Sequence, residues 1–413
     1  MRKINIINDY YEDKKLLQFE KDYRYYQIFD WINHKGIYEF SNMSNLGKSI
    51  KEQINERFYC NDFIKYEHLK DRGDGAEKFL WTMRDGEKIE TVFLPNNWGN
   101  TVCLSTQVGC ALGCSFCMTG KNGLVRNLTV SEIVLQYIQA MQITGKSIRN
   151  IVFMGMGEPL NNYDNLVNAI NYFTSEKILT MSPSRITVST AGILGKLNQF
   201  IHIYPRVNIA ISINSLDSDT RTQLMPINKK YPIGDIRLLY KLTKGDITFE
   251  YVLINGVNDT EEDAIRLAKF ARRHRALVNL IPLNEHRNIK LKKPDKKRIL
   301  RFDRIIHEHK VTVRLRNSYG QSIAGACGHL RAKSTAKPGD RTPERAPKRS
   351  RNVTGRIAGK STESKTEPKT NRRSASKKEE RKMGSESIRK SRRSSGGATT
   401  KPTRNHQDSR KKR

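Results

Sequence analysis

From about Asn100 onward, short apolar runs rich in β-branched residues alternate with longer stretches whose apolar positions fall at helical spacing. The short runs are "TVCLS", "NIVFMGM", "RITVST", "RVNIAISI", "ITFEYVLI", "VNLIPL" and "VTVRLR". Between most of them lie amphipathic stretches such as "SEIVLQYIQAMQITG", "YDNLVNAINYFTS" and "EEDAIRLAKFARRH". Thr129-Val130-Ser131-Glu132 reads as a capping box that opens the first of these helices. Short strands separated by helices predict parallel strands joined by right-handed crossovers. About six such units between residues 99 and 330 predict an α/β fold, an open or partial (β/α) barrel and not a complete eight-unit one.

The flanks follow other patterns. Within residues 1–75, "YRYYQIFDWINHKGIYEF" carries apolar residues at helical spacing with Gly36 as a stop, which predicts a small helical accessory domain. Over 76–98, "KFLWTM" and "KIETVFLP" flank Asp85-Gly86, a favoured pair for a tight hairpin turn. Alternation in the second strand sets Glu90 on one face with Val92 and Leu94. Such a carboxylate either faces solvent opposite a lysine or does chemistry. From Lys333 the chain has no Phe, Trp or Tyr and is rich in Ser, Thr, Lys and Arg. Residues 331–413 therefore read as a disordered basic tail, with too little apolar surface to offset ordering entropy.

Charge adds a partner. The net charge is +33, and both the tail and the remaining chain are basic, which points to a polyanion such as nucleic acid. Lys121 and Arg126 are candidate phosphate contacts, against a solvated surface charge as the commoner role of either one. The N-terminal "MRKINIINDYYEDKK" lacks an apolar signal core, and no apolar run approaches the roughly 18 residues of a membrane helix. A cytoplasmic protein with no membrane partner is expected. In a reducing compartment, clustered cysteines hold metal or do chemistry more often than they form structural disulfides.

Four of the six cysteines lie in "CLSTQVGCALGCSFCMTG". Cys110, Cys114 and Cys117 make a C-x3-C-x2-C pattern, with Cys103 upstream of it. Zinc, with Cys103 as fourth ligand, is one reading, since structural zinc sites close with four ligands. Three thiolates on a 4Fe–4S cluster with one open iron is the other. One strand later, "MGMGEPL" sits at the edge where parallel α/β folds bind ligands. Gly155 and Gly157 allow close backbone approach there, and Glu158 offers a carboxylate.

Together these two motifs resemble the cluster loop and cofactor-binding strand end of the radical S-adenosylmethionine superfamily. The chain also carries "GLVRNLTVSEI", "ITVSTAGI", "LMPINKKYPI", "EYVLINGVND", "VNLIPLN" and "ACGHL" in that order. With these, residues 78–330 resemble the RNA adenine carbon-2 methyltransferases of RlmN type and their carbon-8 relatives of Cfr type. Gln107-Val108-Gly109 and Pro159 favour the carbon-2 branch. The resemblance implies a partial (β/α)6 radical S-adenosylmethionine barrel, with the 4Fe–4S cluster on Cys110, Cys114 and Cys117. It assigns cofactor binding to Gly157, Glu158, Ser189, Ser212, Ile213, Asn214 and Asn284. Asn214 stands where the family usually has histidine, so a proton role at that position is not carried over.

The resemblance also implies substrates and a reaction scheme. Family members methylate an adenosine of 23S rRNA near the peptidyl-transfer centre, and the carbon-2 enzymes also an adenosine beside some tRNA anticodons. A monomer that draws electrons from a donor such as a flavodoxin system is expected. Carbon 2 of adenine is not nucleophilic, so the family methylates a cysteine first, here Cys327. A radical derived from a second S-adenosylmethionine then takes hydrogen from that methyl, and the methylene joins the ring. Cys103 matches the cysteine that resolves the protein–RNA link by a disulfide with Cys327, and Glu90 matches the proton acceptor. Taken alone, Cys103 and Cys327 read as small buried hydrophobes. Cys60 has no matching role and is read as structural. A non-catalytic, metal-dependent RNA-binding protein is the alternative from another class.

Overall fold

The computed structural model describes residues 3–12, 22–236, 247–286, 288–330 and 351–352. Apart from 351–352, the expected tail lies outside the described residues.

The chain opens with a two-residue strand, β1 (Ile4–Asn5), and helices α1 (Ile6–Tyr11), α2 (Tyr23–Asn33) and α3 (Lys48–Arg57). β1 pairs in parallel with β2 (Phe58–Tyr59), and Tyr25, Ile28, Phe29 and Ile32 of α2 are buried at helical spacing. Three antiparallel strands follow: β3 (Phe63–Lys70), β4 (Glu77–Met83) and β5 (Lys88–Leu94). β3 is a correction, since it falls where only helix is expected. Its burial pattern leaves most positions exposed, so the run lacks the clean alternation that marks a half-buried strand.

β5 pairs antiparallel with β6 (Thr101–Cys103), where the parallel part begins. It continues through β9 (Asn150–Phe153), β10 (Ile186–Thr190), β11 (Asn208–Ser212), β12 (Ile247–Leu253), β13 (Leu277–Pro282) and β14 (Val313–Leu315). Crossovers run through α4 (Val130–Thr144), α5 (Tyr163–Thr174), α6 (Leu194–Ile203), α7 (Ser218–Leu224) with α8 (Ile233–Ile236), α9 (Glu261–His274) and α10 (Lys296–Glu308). These six βα units and a closing strand are the open barrel that the alternation predicts. Residues 351–352 add antiparallel to β3 at the far edge. Among the described residues no helix is long and apolar enough to cross a membrane.

The register sorts the side chains into two faces. One face carries Phe79, Trp81, Phe93, Val102, Ile151, Phe153, Ile186, Val188, Ile211, Phe249, Val278 and Leu280, all buried. Helices cover it. Each of these fully buried large side chains contributes on the order of 2 kcal/mol of transfer free energy, so this face fixes the fold. The opposite face carries Lys78, Glu90, Cys103, Ser189, Ser212, Glu250 and Asn279, linked strand by strand through the same pairings. A sheet face lined this way needs either water or a polar ligand.

The expected capping box is present: Thr129 Oγ1 accepts from Glu132 N, and Glu132 Oε2 accepts from Thr129 N. It aims α4 across the hairpin, where Gln136 Nε2 donates to Ser105 O (3.0 Å) and Thr91 Oγ1 to Gln136 Oε1 (2.8 Å).

Candidate active site

The site lies at the C-terminal ends of the parallel strands. β6 and β9 leave the sheet together. Leu104 N donates to Val152 O (2.9 Å), Gly155 N to Leu104 O (3.1 Å) and Thr106 N to Met156 O (2.8 Å). A Cβ on Gly155 would sit 2.6 Å from Leu104 O, and one on Gly157 2.6 Å from Gln107 Cβ. The glycines therefore serve a close approach to the 104–107 segment, not only to a ligand. Gly157 also holds φ +103, a region that side chains strain to reach. Gly157→Ala is expected to cost about 2 kcal/mol or more in denaturant unfolding. Gly195→Ala, in open space within α6, should leave stability unchanged or raise it.

Past this joint, a short antiparallel pair, β7 (Gln107–Gly109) and β8 (Leu124–Asn127), closes the base of the cysteine loop, and Cys110 N donates to Gly123 O (2.8 Å). The sequence pattern missed this pair because each strand is too short to show alternation. Cys110, Cys114 and Cys117 share the loop, with Cys110 buried and the others half-buried. Burial pushes the Cys110 thiol up to about 12, and the Cys117 thiol adds to it. Cys114 is pushed up by burial and then by both other thiols. An iron–sulfur centre that binds these sulfurs as thiolates would offset the cost of ionising them in a buried loop. Among the described residues, no three His, Cys, Asp or Glu side chains converge on a single ion.

Glu158 is buried, and its carboxylate accepts from Leu160 N (3.1 Å) and Ala191 N (2.9 Å). Burial raises its pKa and those hydrogen bonds oppose the rise. Ser189 and Ser212 are half-buried on the polar face at successive strand ends. Asn279 on that face keeps a buried Oδ1 without a partner. Hydroxyls, an unmet acceptor and the strand-end position fit the ribose and methionyl groups of S-adenosylmethionine.

Three expected cofactor residues also have partners within the fold. Asn214, at φ +57, accepts from Val252 N through Oδ1 (2.8 Å) and points Nδ2 at Met225 Sδ (3.0 Å). Its side chain is thereby committed to the scaffold. Ile213 is fully buried and presents its backbone: its N donates to Glu250 O, and its O accepts from Arg221 Nε (3.1 Å). Asn284 donates through Nδ2 to Cys327 O (3.0 Å), so it holds the late cysteine's loop.

Glu90 is buried beside Lys78, with Oε1 2.9 Å from Nζ. The exposed-strand reading of Glu90 therefore fails, although the opposing lysine is there. Cys103 is buried and free, and Cys327 is free and exposed on its loop. Burial pushes the Cys103 thiol up, and the neighbouring Cys327 pushes it further. Although the residue keeps solvent access, the protein packed around the Cys327 sulfur desolvates it and raises its pKa, Glu250 adds to the rise and Arg316 opposes it. Glu250 itself is raised by burial, with Arg316 and an Asn279 hydrogen bond (3.3 Å) opposing. Cys327, 224 positions after Cys103 in the chain, is thus its neighbour in the fold. Glu250 was legible as the polar residue inside "ITFEYVLI", yet nothing in the sequence pairs it with Cys103.

The phosphate-contact reading of Arg126 is corrected: it binds Glu132 at 2.8 Å and Asp85 at 2.6 Å, joining the hairpin turn to α4. Lys121 is exposed but donates to Asn288 O. Cys60 is buried in the core.

Comparison with known proteins agrees with this geometry. Residues 104–268 match the radical SAM superfamily, and residues 16–60 match the ribosomal RNA large subunit methyltransferase N-terminal domain. The chain is 43% identical over 317 residues to the dual-specificity RNA methyltransferase RlmN of Desulfosudis oleivorans, covering 75% of this chain and 85% of that one. It is 38% identical over 316 residues to the probable RlmN of Clostridium novyi, covering 76% and 92%. The chain belongs to the RlmN family. A radical SAM methyltransferase from Sphaerobacter thermophilus shares the fold, with a TM-score of 0.72 at 36% identity over 75% of this chain and 93% of that one. The protein is a radical S-adenosylmethionine methyltransferase, and a 4Fe–4S cluster and S-adenosylmethionine are its cofactors.

Proposed function

We propose that this RlmN-family enzyme methylates carbon 2 of adenosine in RNA, in 23S rRNA at the peptidyl-transfer centre and beside the anticodon of some tRNAs, through a methyl group carried on Cys327. The observation that carries the reading is one polar sheet face that brings Cys103 and Glu90 into the neighbourhood of Cys327. Relatives bearing the name dual-specificity RNA methyltransferase support the substrate class. Gln107 bridges the two motifs that favour the carbon-2 branch, accepting from Glu158 N (2.8 Å) and donating to Asn127 (2.8 Å).

Cys110, Cys114 and Cys117 would hold the cluster, and Ser189, Ser212, the Gly157-Glu158 turn and the Ile213 backbone would border S-adenosylmethionine. When bound, these groups supply a methyl group and a carbon-centred radical able to take hydrogen from an unactivated methyl. The chain's own residues do the rest. Cys327, as thiolate, accepts the methyl on sulfur. After its carbon joins the adenine ring, Glu90 receives the proton displaced from carbon 2, and the unpaired electron left on the ring would pass to the cluster when that is bound. Cys103, as thiolate, attacks the Cys327 sulfur: the S–S bond forms, the S–C bond breaks, and the electron pair stays with the carbon, which takes a proton. The disulfide must then be reduced by two electrons, and a flavodoxin-type donor suits both this enzyme's radical chemistry and a cytoplasmic setting. The enzyme acts as a monomer on this reading.

Nucleoside mass spectrometry after anaerobic turnover on 23S rRNA and on tRNA tests the assignment. The expected product is 2-methyladenosine from both. 8-Methyladenosine would make it a carbon-8 enzyme, and no methylated adenosine from either RNA would reject the substrate class.

A further inference from the structure

Cys327 closes a loop, residues 320–328, whose backbone is held away from ordinary conformations. Gly320 has φ +67, Gly328 φ +82 and Ala324 φ +50. A non-glycine residue in the left-handed region costs about 1 kcal/mol, and persists only where surrounding contacts over-determine it. Those contacts come from the β3–β4 turn, nearly 250 positions earlier. Gly320 N donates to Asp74 Oδ2 (2.7 Å). Ser322 donates to Asp71 Oδ2 twice, through Oγ (2.6 Å) and N (3.3 Å). Asp71 uses its other oxygen on its own turn, accepting from Gly73 N (2.8 Å). Lys78 Nζ donates to the carbonyl of Ala324, the strained residue, at 3.3 Å. The same ammonium sits 2.9 Å from Glu90, and both side chains are buried.

We propose that Lys78 is a positioning residue that ties Glu90 to the Cys327 loop, with Asp71 and Asp74 as a second hold, and that this clasp sets the loop in place for methyl transfer to RNA. The part that concerns turnover rests on the reading above; the structural part does not. Charge-assisted hydrogen bonds to backbone are the strong kind, so three anchoring side chains suffice to hold a strained loop. A lysine shared between the proton-accepting carboxylate and the methyl carrier also sets their spacing. Asp71 is held below the usual carboxylate range by its hydrogen bonds to Ser322 and Gly73, so the hold persists through neutral pH.

The test uses the full chain, reconstituted anaerobically with its cluster, as wild type, Lys78→Met, Lys78→Arg and Asp71→Asn. Hydrogen exchange by mass spectrometry reads the Gly320 and Ser322 amides. Intact mass reads the methyl on Cys327, and a single-turnover assay reads transfer to RNA. Loss of protection over 316–326 by about tenfold is expected in Lys78→Met and Asp71→Asn, with the 110–120 loop unchanged. In Lys78→Met, Cys327 should still gain its methyl while transfer falls at least about tenfold; Lys78→Arg should restore both loop protection and transfer. Unchanged protection, or unchanged transfer despite lost protection, overturns the proposal. Absence of methyl from wild-type Cys327 overturns the methyl-carrier reading instead, while the exchange data still decide the clasp.

Discussion

Cys327→Ala is expected to lower RNA methylation at least about a thousandfold while leaving the protein folded and its cluster loaded. The size follows from chemistry. Carbon 2 of adenine cannot attack an electrophilic methyl, so without a sulfur carrier no slower route remains on the same ligands. The selectivity follows from structure. Cys327 is exposed and lies outside the buried apolar core, so truncation should move stability by no more than about 0.5 kcal/mol. Cys60→Ala gives the opposite signature: it removes a buried sulfur from the core and should cost about 1 kcal/mol of stability with turnover intact. Methylation assays with urea denaturation on both variants separate the two roles. Substantial turnover by Cys327→Ala would remove the carrier from the scheme.

The second large effect concerns release. Cys103→Ala should form the bond between protein and RNA at close to the wild-type rate, then fail to break it. Product release is expected to drop about a hundredfold or more, with a denaturation-resistant protein–RNA species accumulating toward one per enzyme. The reason is positional: Cys103 stands on the polar sheet face close enough to Cys327 for that thiol to act on it, while Cys110, Cys114 and Cys117 lie together on a separate loop. Cys103 is buried, so its loss also costs about 1 kcal/mol, too little to unfold a domain of this size. Denaturing gel electrophoresis with labelled RNA measures the adduct. Free product without adduct would place release on another group.

Most of the frame was legible from periodicity. In "RVNIAISI" Ile209 and Ile211 face the helices while Asn208, Ala210 and Ser212 face the other way, and the helices between the strands show one apolar stripe. β3 was not legible, because an edge strand with exposed side chains carries little alternation. The cysteine loop was legible in its spacing but not in its closure, since β7 and β8 are joined by cross-strand pairing that leaves no local trace. Arg126 illustrates the limit for charge: its position beside the loop suggested phosphate, whereas Asp85 and Glu132 arrive from separate elements to neutralise it. The clasp is the strongest case. Asp71, Asp74 and Lys78 are ordinary turn and strand residues until the fold sets them against a loop from the far end of the barrel.

The central claim is that the methyl reaches RNA through the sulfur of Cys327. It is tested most directly by running Cys103→Ala with S-adenosylmethionine bearing a trideuterated methyl group, then digesting the trapped species for mass spectrometry. The account predicts a Cys327 peptide joined to adenosine through one carbon carrying two deuterium atoms. A link through any other residue, or a transferred methyl that keeps all three deuterium atoms, would contradict it.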